Sequence, residues 1–277
     1  MIKKLLACFI ILTGVYSVNA QNSNPEKDWE LSIQLWTFNT SSFYTAIKKA
    51  DSCKIKYVEA FPGQPLQDGA PSVFGPSMTA DERKALKEFL HKKGISIAAI
   101  GVVTANSTKD WKTYFEFAAD MKIPIITAEP DRNQLNDVNR LAATYGVKVA
   151  IHDHPIPDIY WHPDSVLLAI KGRPNIGVCA DIGHWVRNGL NVVDCLKKCN
   201  GKIIILHLKD VADFGNTQAP DVLLGDGVCN IPVVLEELKK QNFKGTFSIE
   251  YEEHPNSNMK DVKQYVQYFY EQVERLK

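Results

Sequence analysis

Two short apolar runs, Ile176–Ala180 and Lys202–Leu206, each end abruptly in a side chain able to bind a metal ion. Asp181 follows the first and His207 the second, with one helix-length segment, Asn191–Asn200, between them. Strand, helix, strand with a polar residue at each strand's carboxyl end is the unit on which parallel α/β enzymes place their chemistry. Taken singly, Asp181 could cap a helix and His207 could be a satisfied core histidine. The pair, repeated at the ends of other apolar runs, points to a site.

The rest of the chain repeats that unit. Leu31–Trp36, Tyr57–Phe61, Ile95–Val103, Pro124–Ala128, Val147–Ile151 and Thr246–Ile249 read as further strands. Ser41 or Ser42 can cap a helix that runs to Cys53. Thr79 with Glu82 makes a capping box for a helix over Ala80–Lys93, and Gly94 stops it. Ser107 opens a helix through Met121, Asn133–Tyr145 closes on Gly146, and Asp164–Lys171 is short. Ile231–Gln241 has Pro232 in its first turn, and Met259–Leu276 is the last helix. Pro62–Met78, rich in Gly and Pro, reads as a long loop of the kind that forms lids and binding surfaces. Eight alternations in roughly 250 residues predict an α/β fold, a single (β/α)₈ TIM barrel. A doubly wound sheet is the alternative, but it supplies no reason for eight regular repeats.

The chain has 277 residues, 45% of them hydrophobic, with 32 basic and 32 acidic side chains. This balance leaves no electrostatic footprint for nucleic acid. Residues 1–20 read as a signal peptide: Lys3 and Lys4, an apolar stretch over Leu5–Val18, and Val18-Asn19-Ala20 as the cleavage site. The apolar stretch falls short of the ~20 residues a membrane span needs. Leu5-Leu6-Ala7-Cys8 imitates a lipoprotein box, but only four residues precede it. The expectation is a soluble, exported, periplasmic protein cleaved after Ala20, its barrel occupying residues 21–277, without stable membrane insertion. Five cysteines then remain, Cys53, Cys179, Cys195, Cys199 and Cys229, an odd number at irregular spacing that reads as buried small hydrophobes.

Glu59, Glu129, His152, Asp181, His207 and Glu250 all fall at strand ends, which in a barrel face one mouth. His152, Asp181, His207 and Glu250, from the last four strands, form a mixed nitrogen and oxygen set. That suits one divalent first-row ion, Mn²⁺, Co²⁺, Ni²⁺ or Zn²⁺, better than Ca²⁺. Lys209 could donate to a substrate oxygen, and Trp36, Phe61, Trp161 and Trp185 could wall a sugar ring. Gly225–Gly227 reads as a turn and not a dinucleotide fingerprint.

With IQLWTF, YVEAF, GVKVAIHDH, ADIGH, ILHLKD, LGDGVCNIPVVLEEL and SIEYE in place, the chain from about Leu31 onward resembles the xylose isomerase-like barrel superfamily, of the sugar phosphate isomerase/epimerase type. The resemblance implies metal ligands at His152, Asp181, His207 and Glu250. It also implies a substrate-contacting histidine at His184 and a pocket glutamate at Glu59. The family's strand-five ligand is usually a glutamate that works as one of two acid/base groups. Here it is His152, followed by Asp153 and His154, with Asp153 the expected partner for the ring's other nitrogen.

The expected function is a metal-dependent enzyme on a free sugar, keto-sugar or keto-glycoside. Glu250, Glu129 or His154 would take the proton next to a carbonyl. Loss of one base leans the chemistry to a lyase or hydratase, with an isomerase or epimerase as the alternative. A sugar-binding barrel without catalysis is the second alternative. The superfamily's abasic-site endonucleases need a basic surface that a neutral chain does not offer.

Overall fold

The structure, a computed structural model, describes residues 24–276. The leader expected over residues 1–20 lies outside them. No helix among the described residues is long and apolar enough to cross a membrane.

A short helical turn, α1 (Pro25–Asp28), leads into β1 (Trp29–Gln34). Then follow α2 (Phe43–Ser52), β2 (Tyr57–Ala60), α3 (Ala80–Lys93), β3 (Ser96–Val103), α4 (Thr108–Met121) and β4 (Ile125–Ala128). The second half runs α5 (Leu135–Tyr145), β5 (Lys148–Ile151), α6 (Pro163–Ile170), β6 (Ile176–Asp181), α7 (Ile182–Arg187), α8 (Val192–Lys198), β7 (Ile203–Leu208), α9 (Ile231–Lys240), β8 (Gly245–Ile249) and α10 (Met259–Arg275). The strands pair in chain order, all parallel, and β1 pairs β8 to close the barrel. The fold is a single (β/α)₈ barrel.

Local signals explain most boundaries. The Thr79 hydroxyl accepts from Glu82 N, and Glu82 reaches back to Thr79 N, completing the capping box. Gly94 takes the left-handed conformation that ends α3. Strands buried on both faces read as near-continuous apolar runs, as β7 does.

Two expectations needed correction. The first strand ends at Gln34, not Trp36, because the Gln34 side chain accepts from Trp36 N and caps a 3₁₀ turn over Leu35–Phe38. Between β6 and β7 there are two helices, not one. The extra helix, α7, is only six residues long and carries a glycine, so its composition argues against it. Its packing on the neighbouring strand end supplies what propensity lacks.

Alternation along each strand sets the layers of the barrel interior. Ala99, Ala150, Cys179 and Ile205 form a small buried cluster separate from the main core. The main core is the shell between sheet and helices. Two residues beyond Ala150, Cys179 and Ile205 stand His152, Asp181 and His207. The same face therefore turns from apolar to ionisable over one repeat. All five cysteines among the described residues are free and buried. Burial pushes the thiols of Cys195 and Cys199 up to about 12, as expected of small hydrophobes.

Asp210, just past β7, is a fold determinant that the sequence reading passed over. It is fully buried, and its carboxylate accepts from the backbone N–H of Val211, Gly225, Gly227 and Cys229. It thereby holds the Gly225–Gly227 turn that leads to α9. Asp210→Ala would leave those N–H groups unpaired and should cost about 3 kcal/mol or more. Asp210→Asn should recover part of that loss in chemical denaturation.

Candidate active site

At the carboxyl ends of β5 to β8 the backbone register brings four side chains together. Asp181 pairs with His207 across β6 and β7, and Glu250 follows directly after β8. Donor atoms of His152, Asp181, His207 and Glu250 all lie within 4.8 Å of one another, and all four residues are buried. The sequence-derived quartet is thus one cluster.

Each histidine in the cluster is held by a carboxylate on one nitrogen and turns the other inward. His152 Nδ1 is 3.0 Å from Glu129 Oε1, while its Nε2 faces Asp181 Oδ2 at 3.6 Å. His207 Nε2 is 2.9 Å from Glu59 Oε2, and its Nδ1 faces Glu250 at 3.1 Å and Asp181 at 3.7 Å. Asp181 divides its two oxygens. Oδ1 accepts from His184 N and caps α7, whereas Oδ2 is buried with no hydrogen-bond partner. His152 Nε2 is likewise buried and unpartnered. Orphaned buried polar atoms are costly. An imidazole nitrogen and a carboxylate oxygen left bare and facing each other fit a divalent cation between them.

The electrostatics agree with that fit. Burial opposes the charged form of Asp181, but His184, Lys209 and the neighbouring imidazoles hold its carboxyl well below the usual range. Burial also works against protonation of His152, yet Asp181 and Glu129 raise its pKa well above the ordinary value. His207 is raised in the same sense, against burial, by Cys179, Glu59 and Glu250. The carboxylates therefore call for positive charge at the centre, and a cation would take the place of the protons.

Several expected site residues stand elsewhere. Glu59 is fully buried beneath His207, accepting also from Thr127 Oγ1, and is absent from the cavity wall. It holds the His207 ring from behind. Glu129 is not a free base. Burial alone would raise its pKa, but the hydrogen bonds of His152 and His154 bring it down to about 2. Asp153 is not the partner of His152, because its Oδ1 accepts from Asp181 N. Lys209 is fully buried, and Asp181, Glu250 and Glu252 surround its ammonium. Helix α7 seals it in, since a Cβ on Gly183 would meet the Lys209 side chain at 2.7 Å. Trp185, 1% exposed, belongs to the apolar core and not to a substrate wall. The residue one position after His184 on a helix faces away from it.

Trp36, His154, His184 and Glu250 do meet at one cavity of about 230 Å³, together with Gln34 and Phe61. Trp36 is 42% exposed, lies edge-on to Phe61, and donates its indole N–H to Glu252. His154 is half-exposed, with Nδ1 in a short contact to Glu129. His184 Nδ1 lies 3.2 Å from Arg187 Nη1. Burial first, then the positive charge of Lys209 and the other histidines, depresses the His184 pKa well below the ordinary value despite Asp181. Arg187 was missed at the sequence level. Its place three residues after His184 was the available signal.

The sequence profile of the xylose isomerase-like TIM barrel family matches residues 47–272. The chain belongs to that family. The inosose isomerase of Halalkalibacterium halodurans is 28% identical over 204 residues, 62% of this chain and 71% of the relative. The inosose dehydratase of Clostridium botulinum is 23% identical over 202 residues, 64% of each chain. A crystal structure of an uncharacterised Parabacteroides distasonis protein superposes with a TM-score of 0.72 at 33% identity, covering 88% of this chain and 99% of that one.

Glu129→Gln keeps the shape but removes the anionic acceptor behind His152. Metal affinity should fall about 10- to 100-fold, read by competition with a chromogenic chelator. An unchanged affinity would show that the pair does not support a ligand.

Proposed function

We propose that this protein is a divalent-metal-dependent enzyme acting on a polyhydroxylated ketone, a keto-sugar or inosose, and that it eliminates water by removing a proton next to the carbonyl. The observation that carries the reading is the pair of bare inward atoms, His152 Nε2 and Asp181 Oδ2, within the four-residue cluster beside the cavity. The similarity to an inosose isomerase and an inosose dehydratase supports the substrate class and an enzymatic role.

His152, Asp181, His207 and Glu250 would hold the ion, which when bound supplies Lewis acidity to a carbonyl and its neighbouring oxygen. The chain's own residues do the proton work. Glu129, ionised throughout the neutral range, accepts from His154 Nδ1–H. That leaves the lone pair on His154 Nε2, so the imidazole is the base. It takes the proton from the carbon beside the carbonyl. The electron pair forms the new double bond as the carbon–oxygen bond one carbon further breaks. The imidazolium returns the proton to the departing hydroxyl, so the products are an enone and water. Glu129 is tied to two imidazoles and Glu250 to His207 and Lys209, which leaves one free base for the reaction. Trp36 and Phe61 offer apolar faces to a ring in a cavity of single-ring size.

Isomerisation is the second reading, favoured by the similarity to the inosose isomerase. It uses the same base, with the carbon proton returned to the former carbonyl carbon, the hydroxyl proton passed to the former carbonyl oxygen, and no carbon–oxygen bond broken. Protein loaded in turn with Mn²⁺, Co²⁺, Ni²⁺ or Zn²⁺ and incubated with an inosose or a ketohexose in D₂O separates the two. Elimination gives a product lighter by one water. Isomerisation gives a product of retained composition with deuterium at carbon. Asp181→Ala and His207→Ala should strip the metal and abolish either reaction. His154→Ala should retain metal and lose about 100- to 10,000-fold in rate. Absence of both reactions with every metal and substrate would sink the proposal.

We further propose that the protein works in the cell envelope, from the basic, apolar and Val18-Asn19-Ala20 segments of its leader. Intact-mass analysis of the protein from its native host should show a chain starting at Gln21. An acylated Cys8 or a retained Met1 would refute this.

A further inference from the structure

The donor groups beside the cavity admit more than one metal site. Besides the quartet, His152 brings its donor atoms within 4.8 Å of those of His154 and His184 in one set and of Cys179 and His207 in another, and only the His154–His184 set draws on residues outside the barrel interior. Something must decide which set binds.

Arg187 bears on whether His184 can take part. Its guanidinium is anchored on three sides: Nη2 donates to Asp221 Oδ1 at 2.7 Å and to Ala219 O at 2.7 Å, and Nε donates to Ala219 O at 3.0 Å. Asp221 is itself buried and accepts from Glu252 N at 2.8 Å. The remaining nitrogen, Nη1, lies 3.2 Å from His184 Nδ1. A guanidinium has donors and no acceptor, and it does not lose its proton in proteins. His184 Nδ1 must therefore accept. In a neutral imidazole the proton then sits on Nε2, the nitrogen 3.6 Å from Asp181 Oδ2 on a ring that lines the cavity.

A ring nitrogen coordinates a metal only through a lone pair. His184 has none to offer, since Nδ1 is committed to Arg187 and Nε2 is protonated. His152, His154 and His207 are in the opposite condition. Their partners are the carboxylates of Glu129 and Glu59, which accept, so each ring can offer a lone pair on its other nitrogen, at His152 and His207 once a cation replaces the proton held there by Asp181 and Glu250.

We propose that Arg187, held by Asp221, is a positioning residue that locks His184 in the Nε2–H tautomer. This excludes His184 from coordination, assigns the ion to His152, Asp181, His207 and Glu250, and presents an N–H donor to a substrate oxygen. The choice between donor sets rests on the metal reading above, whereas the tautomer stands on the hydrogen bonds alone.

The test reads the ring nitrogens directly. In ¹⁵N-histidine-labelled, chelator-treated full-length protein, His184 of the wild type should show an unprotonated Nδ1 and a protonated Nε2. Arg187→Lys, which keeps a donor, should preserve that pattern. Arg187→Met, which removes the donor, should move the Nδ1 signal away from that of a hydrogen-bonded acceptor and let Nδ1–H appear in exchange with Nε2–H. With Co²⁺ added, the wild type should show visible absorption of a mixed imidazole and carboxylate site, and Arg187→Met should shift towards a nitrogen-richer spectrum. A wild-type His184 protonated on Nδ1 would overturn the proposal without any variant, even if Arg187→Met fails to fold. An unchanged tautomer in folded Arg187→Met would overturn it as well. If the wild type binds no Co²⁺, the metal reading and the choice of donor set fall together, and the nitrogen signals still decide the tautomer.

Discussion

Everything at the mouth of this barrel depends on which kind of partner each imidazole has behind it. Carboxylates stand behind His152, His154 and His207, and a guanidinium stands behind His184. An acceptor behind the ring leaves a lone pair in front, and a donor behind the ring leaves an N–H in front. On the proposed reading, four chemically identical side chains thereby become two metal ligands, one base and one hydrogen-bond donor. The distinction is made one shell away from the reacting atoms, by Glu59, Glu129 and Arg187.

Such a site concentrates charge where water is excluded, and each charge must be answered. Lys209 shows how. A fully buried ammonium would lose its charge in an apolar setting, but Asp181, Glu250 and Glu252 surround it and hold its pKa well above the ordinary value against burial. The same contacts keep Asp181 and Glu250 aligned towards the cluster. Removing either side would leave an uncompensated buried charge, the costly case for an ion pair. Lys209 is thus committed to the carboxylates around it.

Acidic side chains at the strand ends are numerous, yet few are free. Glu59 and Glu129 are consumed in orienting histidines, and Glu250 is engaged by His207 and Lys209. Two-base proton transfer across a substrate is poorly served by this arrangement. A half-exposed His154 backed by an ionised Glu129 serves single-base chemistry well, and this is why elimination is the favoured reading.

Much of this was legible in the residues. Eight apolar runs, helix caps such as Thr79 with Glu82, and ligand-type side chains at the ends of four consecutive strands follow from local periodicity and capping. These are properties of neighbours in the chain. What local pattern could not give was direction and partnership. Glu129 and Lys209 look like catalytic groups in one dimension, and Glu59 like a pocket residue, because a charged residue at a strand end is the usual signature. Their roles as supports depend on Thr127, His154 and Glu252, residues from 25 to 68 positions away along the chain. Trp185 and the short helix α7 were misjudged for a related reason, since packing over Lys209 overrides helix propensity there. Sequence alone determined the barrel and its cluster of four metal-competent side chains, because period-two alternation sends those side chains inward whatever surrounds them. Tertiary structure alone decided the proton on each histidine, because a tautomer is set by whatever the distant fold places behind the ring.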